Sequence, residues 1–189
     1  MPHKFSPHSI EKLLRPDRFG DLDICGLFRN MGLDLSMTFA DIGCGPGFFS
    51  RYALEVVGPG GLVYGVDMQQ DMLDALQGNI RAENLLPVLS SEESLQIDDG
   101  CVDFVFCAYV LHEALCAKSF LGEVKRVMKD NARLLIIDWD KLREEHGPPY
   151  GDRVSRGEAS ELIKGAGLRV LQEGTFSVTH YLFLATKGD

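Results

Sequence analysis

The stretch Asp41-Ile42-Gly43-Cys44-Gly45-Pro46-Gly47 holds the residue types best placed to grip a ligand. The apolar run Thr38 to Ile42 reads as a short buried strand, three glycines follow at alternate positions, and an apolar helical run opens at Phe48. A strand that enters a helix through such a loop offers bare backbone N–H groups and a helix N-terminus to an anion. Glycine suits the loop because a side chain would block close approach and many of the φ angles required. Asp41 adds a carboxylate that a pure phosphate cradle does not need, but that suits a ligand with an amino group and a positive centre. Asp67 ends the next apolar run, Leu62 to Val66, twenty positions after Gly47. A carboxylate there accepts two hydrogen bonds from a ribose diol, or else caps the helix that follows. His112 has a pKa suited to taking a proton near neutrality. Tyr109, Glu113 and Asp138 are its neighbours in the topology that the chain predicts. The plainer role for His112 is a backbone contact at a helix start.

Asp41, Gly43, Gly45 and Gly47 fill all four positions of the pattern acid-x-G-x-G-x-G. The stretch resembles motif I of the class I S-adenosylmethionine-dependent methyltransferases. The dinucleotide fingerprint G-x-G-x-x-G would need Gly or Ala at position 48, where Phe48 stands. The resemblance covers roughly residues 33–186, and it is nearest to the small-molecule, ubiquinone/menaquinone-biosynthesis-like ("type 11") group. It implies S-adenosyl-L-methionine as cofactor, bound by Asp41, Gly43, Cys44, Gly45 and Gly47, with Asp67 on the ribose and Met68 against the adenine. Core packing is an equal reading of Met68. After strand three the family places Gly-Asp-Ala, where this chain has Ser90-Ser91-Glu92. Ser91 replaces the acid, and Glu92 stands in from one position further on. The segment Cys107-Ala108-Tyr109-Val110-Leu111-His112-Glu113 resembles the family's V-L-H region, which runs alongside the cofactor, Cys107 included. His112, Asp138 and Tyr109 are the candidate catalytic residues. His180 and Tyr181 read as structural. Gly147-Pro148-Pro149-Tyr150 is not the P-P-[YFW] motif of base-modifying amino-methyltransferases, because it follows strand five and opens with Gly; it reads as a rigid loop rimming the substrate pocket.

The elements that must position these residues alternate. Asp23 to Met31 reads as a helix, and a short one lies near Ser9 to Leu14 in an arm over residues 1–32 that covers the site. After the first strand and its loop come a helix to about Val57, a strand to Asp67, a helix from about Asp71, and strands at Leu86 to Leu89 and Val102 to Cys107. Phe120, Leu121, Val124, Val127 and Met128 make a helical stripe that Asp130-Asn131 breaks. Arg133 to Asp138 is a fifth strand. Ser155 and Glu158 form a capping box for a helix ending near Gly165 and Gly167, and residues 169–176 and 178–186 close the chain as a hairpin. Alternating strands and helices predict an α/β, doubly wound, mostly parallel sheet covered on both faces. The resemblance makes it seven-stranded, Rossmann-like, with an antiparallel strand near the edge.

Composition narrows the function. The 189 residues suit one domain spanning 1–189. A net charge of −9 argues against a nucleic-acid partner, which needs a basic face. No stretch is long and apolar enough to insert in a membrane, and no apolar signal core opens the chain, so a cytoplasmic location is expected. Five cysteines without a C-x-x-C pair predict neither a disulfide framework nor a metal site. The expected partner is a small-molecule methyl acceptor, selected by the N-terminal arm and the 139–154 loop, with a homodimer left open. Two other functions fit the same residues: an S-adenosylmethionine-binding regulator or partner protein without turnover, and a nicotinamide-dependent oxidoreductase.

Overall fold

The computed structural model describes residues 10–15, 20 and 22–188. The remainder of the expected N-terminal arm lies outside the described residues. The elements run α1 (Ile10–Leu14), α2 (Ile24–Asn30), β1 (Thr38–Ile42), α3 (Phe48–Val57), β2 (Leu62–Asp67), α4 (Gln70–Asn79), β3 (Leu85–Leu89) and β4 (Val102–Ala108). After a 3₁₀ turn at Leu111–Glu113 come α5 (Ala117–Val127), β5 (Met128–Trp139), α6 (Arg156–Gly165), β6 (Leu168–Ser177) and β7 (His180–Lys187). One seven-stranded sheet has the order β3-β2-β1-β4-β5-β7-β6. Strands β1 to β5 pair in parallel, and β7 is antiparallel to both β5 and β6.

The two-residue period of the strands sorts their side chains into two cores. On one face Phe39, Phe104 and Phe106 meet Phe28 of α2 and Phe49 of α3, with Leu73 and Leu76 of α4 in the same cluster. Phe39 and Phe104 stack with centroids 5.6 Å apart, and Phe49 meets Phe106 edge-on at 4.9 Å. On the other face Val105, Cys107, Leu134 and Ile136 pack under Phe120, Leu121 and Val124 of α5 and Ile163 of α6. Burying each such large apolar side chain stabilises the fold by roughly 1.5–3 kcal/mol.

Side-chain caps start α2 and α6. Asp23 accepts from the Gly26 N–H at 2.8 Å and caps α2. Ser155 and Glu158 form the reciprocal capping box of α6. One boundary differs from expectation: α5 ends at Val127 instead of at Asp130-Asn131, and β5 begins at Met128. Met128 pairs with Val102, whereas Arg133 pairs with Phe104, so residues 129–132 are taken up in a bulge. The polar pair read as a helix stop is the outer part of that bulge.

The sheet changes winding direction between β1 and β4. The loops leaving the C-terminal ends of β1, β2, β4 and β5 therefore diverge there, and a crevice opens between them.

Candidate functional site

That crevice is a cavity of about 1040 Å³. Its lining includes Gly43, Cys44, Gly45, Asp67, Met68, Ser91 and Glu92 at one end, and Ala108, Tyr109, His112, Trp139, Gly147 and Pro148 at the other. A cleft of about 520 Å³ at the opposite edge of the sheet, between Asp103, Lys129 and Arg133, holds none of the candidate residues.

The glycine loop is folded back on β2. The N–H groups of Gly43 and Cys44 both donate to the Val66 carbonyl, at 2.8 and 2.9 Å. Its three glycines are not equivalent. A Cβ on Gly43 would stand 2.3 Å from Val110 Cγ2, and one on Gly47 would stand 2.4 Å from Leu76 Cδ1, so neighbouring side chains keep both small. Among the described residues, a Cβ on Gly45 would meet only Leu13 Cδ1 at 3.7 Å, and Gly45 lines the cavity. Gly45 has φ +51°, a region that glycine enters freely. Gly47 does not line the cavity; it caps α3 beneath it.

The carboxylates of Asp67 and Asp41 lie on different levels. Asp67 lines the cavity and is 8% exposed; its Oδ2 accepts from the Gly45 N–H and its Oδ1 from the Gln69 N–H, both at 2.9 Å. It thus fastens the glycine loop to the entry of α4. Asp41 is not on the cavity surface. It lies 2% exposed under the loop and accepts from Ser50 Oγ of α3 at 2.6 Å. Burial pushes its carboxyl up to about 7, against the lowering effect of the Ser50 hydroxyl, with the charge of Asp67 raising it further. Burial likewise raises the thiols of Cys44 and Cys107, which are inert as nucleophiles in that state.

Cys107 does not reach the ligand cavity that the resemblance expects it to border: its side chain is fully buried on the α5 side of β4, and Ala108, on the alternate face, lines the cavity instead. Ser91 and Glu92 both line the wall after β3, and Glu92 also accepts from the Leu115 N–H at 2.6 Å.

At the other end the structure joins two residues that lie 26 positions apart. Asp138, fully buried at the end of β5, accepts from the His112 backbone N–H through Oδ2 at 3.0 Å, and its Oδ1 meets His112 Nδ1 at 2.6 Å. The Trp139 N–H donates to the same Oδ1 at 2.7 Å. Asp138 does not reach the cavity; His112 does. Burial pulls the His112 imidazole down, but the hydrogen bond and charge of Asp138, with the charges of Glu113 and Asp152, outweigh it, and its pKa stands above the ordinary value.

Tyr109 brings the chain into this geometry at a conformational cost. Its φ is +62°, unusual for an aromatic residue, and its N–H donates to the Ile137 carbonyl at 2.8 Å. Its ring is 6.1 Å from Trp139 and 5.2 Å from His180, and His180 lies 4.0 Å from Trp139. Tyr181, the next residue, is buried in the core. Two residues at the site carry no sequence signal. Ser50 holds Asp41, and Arg153 is 3% exposed behind the 142–148 segment. Among the described residues no cluster of His, Cys, Asp and Glu has the makings of a metal site, and no helix is long and apolar enough to cross a membrane.

A family model described as a methyltransferase domain matches residues 40–136. A solved structure of a SAM-dependent methyltransferase from Aquifex aeolicus is 34% identical, with a TM-score of 0.91 over 96% of this chain and 98% of that one. Demethylmenaquinone methyltransferase of Lactococcus lactis is 26% identical over 71% of this chain and 50% of its own length. Ubiquinone/menaquinone biosynthesis C-methyltransferase of Bordetella avium is 26% identical over 86% of this chain and 71% of its own length. The chain spans between 30% and 50% of the length of several curated relatives that it matches.

Proposed function

This chain belongs to the family of methyltransferase domains, and from that premise we propose that it transfers the methyl group of S-adenosyl-L-methionine to a small-molecule acceptor by in-line displacement. The observation that carries the reading is one cavity with two chemically different ends: the glycine loop with Asp67, and His112 backed by Asp138. The first end fits the cofactor, because the space beside Gly45 is one that a Cβ would fill.

Gly43, Cys44 and Gly45 present backbone to the methionine part, Asp67 takes the ribose hydroxyls, and Met68, Ser91 and Glu92 face the adenine. Asp41 acts from beneath, by holding α3 and the loop through Ser50. S-adenosylmethionine supplies a methyl group already activated by its sulfonium charge. The protein's task is therefore to align the nucleophile and exclude water.

His112 is placed to take a proton from the acceptor. Its Nδ1 is engaged by Asp138, which fixes the ring and leaves Nε2 as the basic nitrogen. Tyr109 and Trp139 form an aromatic wall beside it. The quinone methyltransferases among the relatives support a small acceptor, as does the 139–154 segment, a single loop with no helix or strand of its own to clamp a macromolecule.

Incubation with S-adenosylmethionine and a fractionated metabolite pool should give S-adenosylhomocysteine in a fraction-dependent manner. Binding without turnover in any fraction would favour a regulatory role and overturn the enzymatic one.

A further inference from the structure

Arg153 lies outside the cavity and yet bonds to what closes its far end. Nε donates to the Pro148 carbonyl at 2.9 Å, Nη1 to the Leu142 carbonyl at 2.9 Å and Glu144 Oε1 at 2.5 Å, and Nη2 to the His146 carbonyl at 2.5 Å. Three of these four acceptors are main-chain carbonyls, so the contact fixes the path of the chain and does more than pair two charges. A planar fork of donors can hold such a set; the point charge of lysine cannot.

The guanidinium also lies over the Trp139 ring, 5.0 Å from its centroid. Gly147 rests on the same indole, where a Cβ would come within 2.8 Å of the ring. No helix or strand runs between Trp139 and Arg156; a few backbone bonds, such as Asp140 N–H to the Thr179 carbonyl, and the Arg153 fork hold this stretch. His146, Gly147, Pro148 and Trp139 all line the cavity. None of the segments that Arg153 bonds belongs to the glycine loop or to β2.

We infer that Arg153 is a positioning residue for the methyl acceptor: it gathers residues 142–148 against Trp139 and so shapes the acceptor end of the cavity while leaving the cofactor end alone. This rests on the methyl-transfer reading, in which that end receives the acceptor.

Trp139 is the protein's one tryptophan, so its fluorescence reports on the clasp directly. In Arg153→Met the acrylamide quenching constant of Trp139 should at least roughly double as the segment lifts from the indole. Affinity for S-adenosylhomocysteine, measured by calorimetry, should stay within about threefold, and in turnover the acceptor KM should rise about tenfold or more with the KM for S-adenosylmethionine little changed. Arg153→Lys should recover less than half of either loss.

Gly147→Ala tests the same contact with Arg153 intact and serves if Arg153→Met fails to fold. Its Cβ must push the segment off Trp139 and should reproduce the rise in quenching. Unchanged quenching in a folded variant overturns the proposal, as does a loss of S-adenosylhomocysteine affinity as large as the loss toward the acceptor. A wild-type chain that binds no S-adenosylhomocysteine counts against the methyl-transfer reading alone, because the quenching measurement needs no ligand.

Discussion

The two ends of the cavity are built by different means. At the glycine-loop end, a backbone loop is the frame of the site: Gly43 and Cys44 bond to β2, the Asp67 carboxylate ties Gly45 to the entry of α4, and the open space is the side chain that Gly45 lacks. At the Trp139 end, side chains make it: Asp138 orients His112, Tyr109 and His180 flank the indole, and Arg153 holds a segment with no regular structure. A backbone site is constrained by neighbours in the chain and tolerates little variation. A side-chain site can be rebuilt by changing a few distant residues, which suits the end that must select among acceptors.

Substitutions break this contrast in order of size. Gly45→Val places a branched side chain in the space proposed for the cofactor, at a φ that L-residues avoid, and it should weaken S-adenosylhomocysteine by more than about 1,000-fold. Calorimetry checks it, and a loss under about twofold would move the cofactor elsewhere.

Asp67→Ala comes next. Losing the proposed charge-assisted bonds to two ribose hydroxyls should cost about 2–4 kcal/mol of affinity, or roughly 30- to 1,000-fold. In the sequence, ribose binding and capping are alternatives for this residue. The Asp67 carboxylate accepts from the Gly45 and Gln69 N–H groups, so folding stability should also fall by about 1 kcal/mol. Unfolding titrations and calorimetry on the one variant separate the two effects, and unchanged affinity would remove Asp67 from the cofactor site.

Asp41→Asn sharpens the contrast through pH. A buried acid raised from 3.8 to about 7 keeps its proton in the folded state while the unfolded chain has lost it. Stability from this group is thus full below the unfolded pKa and is lost as pH rises toward 7. The variant should therefore gain on wild type by up to about 1.4 kcal/mol per pH unit across that window. Parallel curves for the two proteins between pH 4 and 8 would contradict it.

The smallest effect belongs to the other end. His112 is raised above 6.5, so the stability it contributes is full below that pH and is lost as pH rises through the folded value. Asp138→Asn should flatten this slope and shift the rising limb of the turnover profile to lower pH. A limb that does not move would remove His112 as the base.

The same contrast explains what was legible in the sequence. The glycine loop and Asp67 could be read because a strand, a tight loop and a helix follow one another, and each restricts the next. The order of elements followed from periodicity, with the α5–β5 boundary misplaced because a polar bulge looks like a helix stop. Cys107 reads from the sequence as a site residue in place of Ala108, because a segment running past a ligand does not tell which alternate side chain faces it. His112 and Asp138 were legible as neighbours, but their bidentate contact was not. Arg153 could not be read at all, since backbone carbonyls at 142, 146 and 148 leave no mark in residue type. Ser50 escaped for a like reason, as one hydroxyl in an apolar helix.

The most direct test of the central claim is calorimetric titration of S-adenosylhomocysteine into three folded proteins: wild type, Gly45→Val and Arg153→Met. A cofactor end made of backbone, independent of an acceptor end made of side chains, predicts saturable binding of one ligand per chain in wild type and Arg153→Met, and none in Gly45→Val. No heat with wild type at millimolar ligand, or equal loss in both variants, would contradict it.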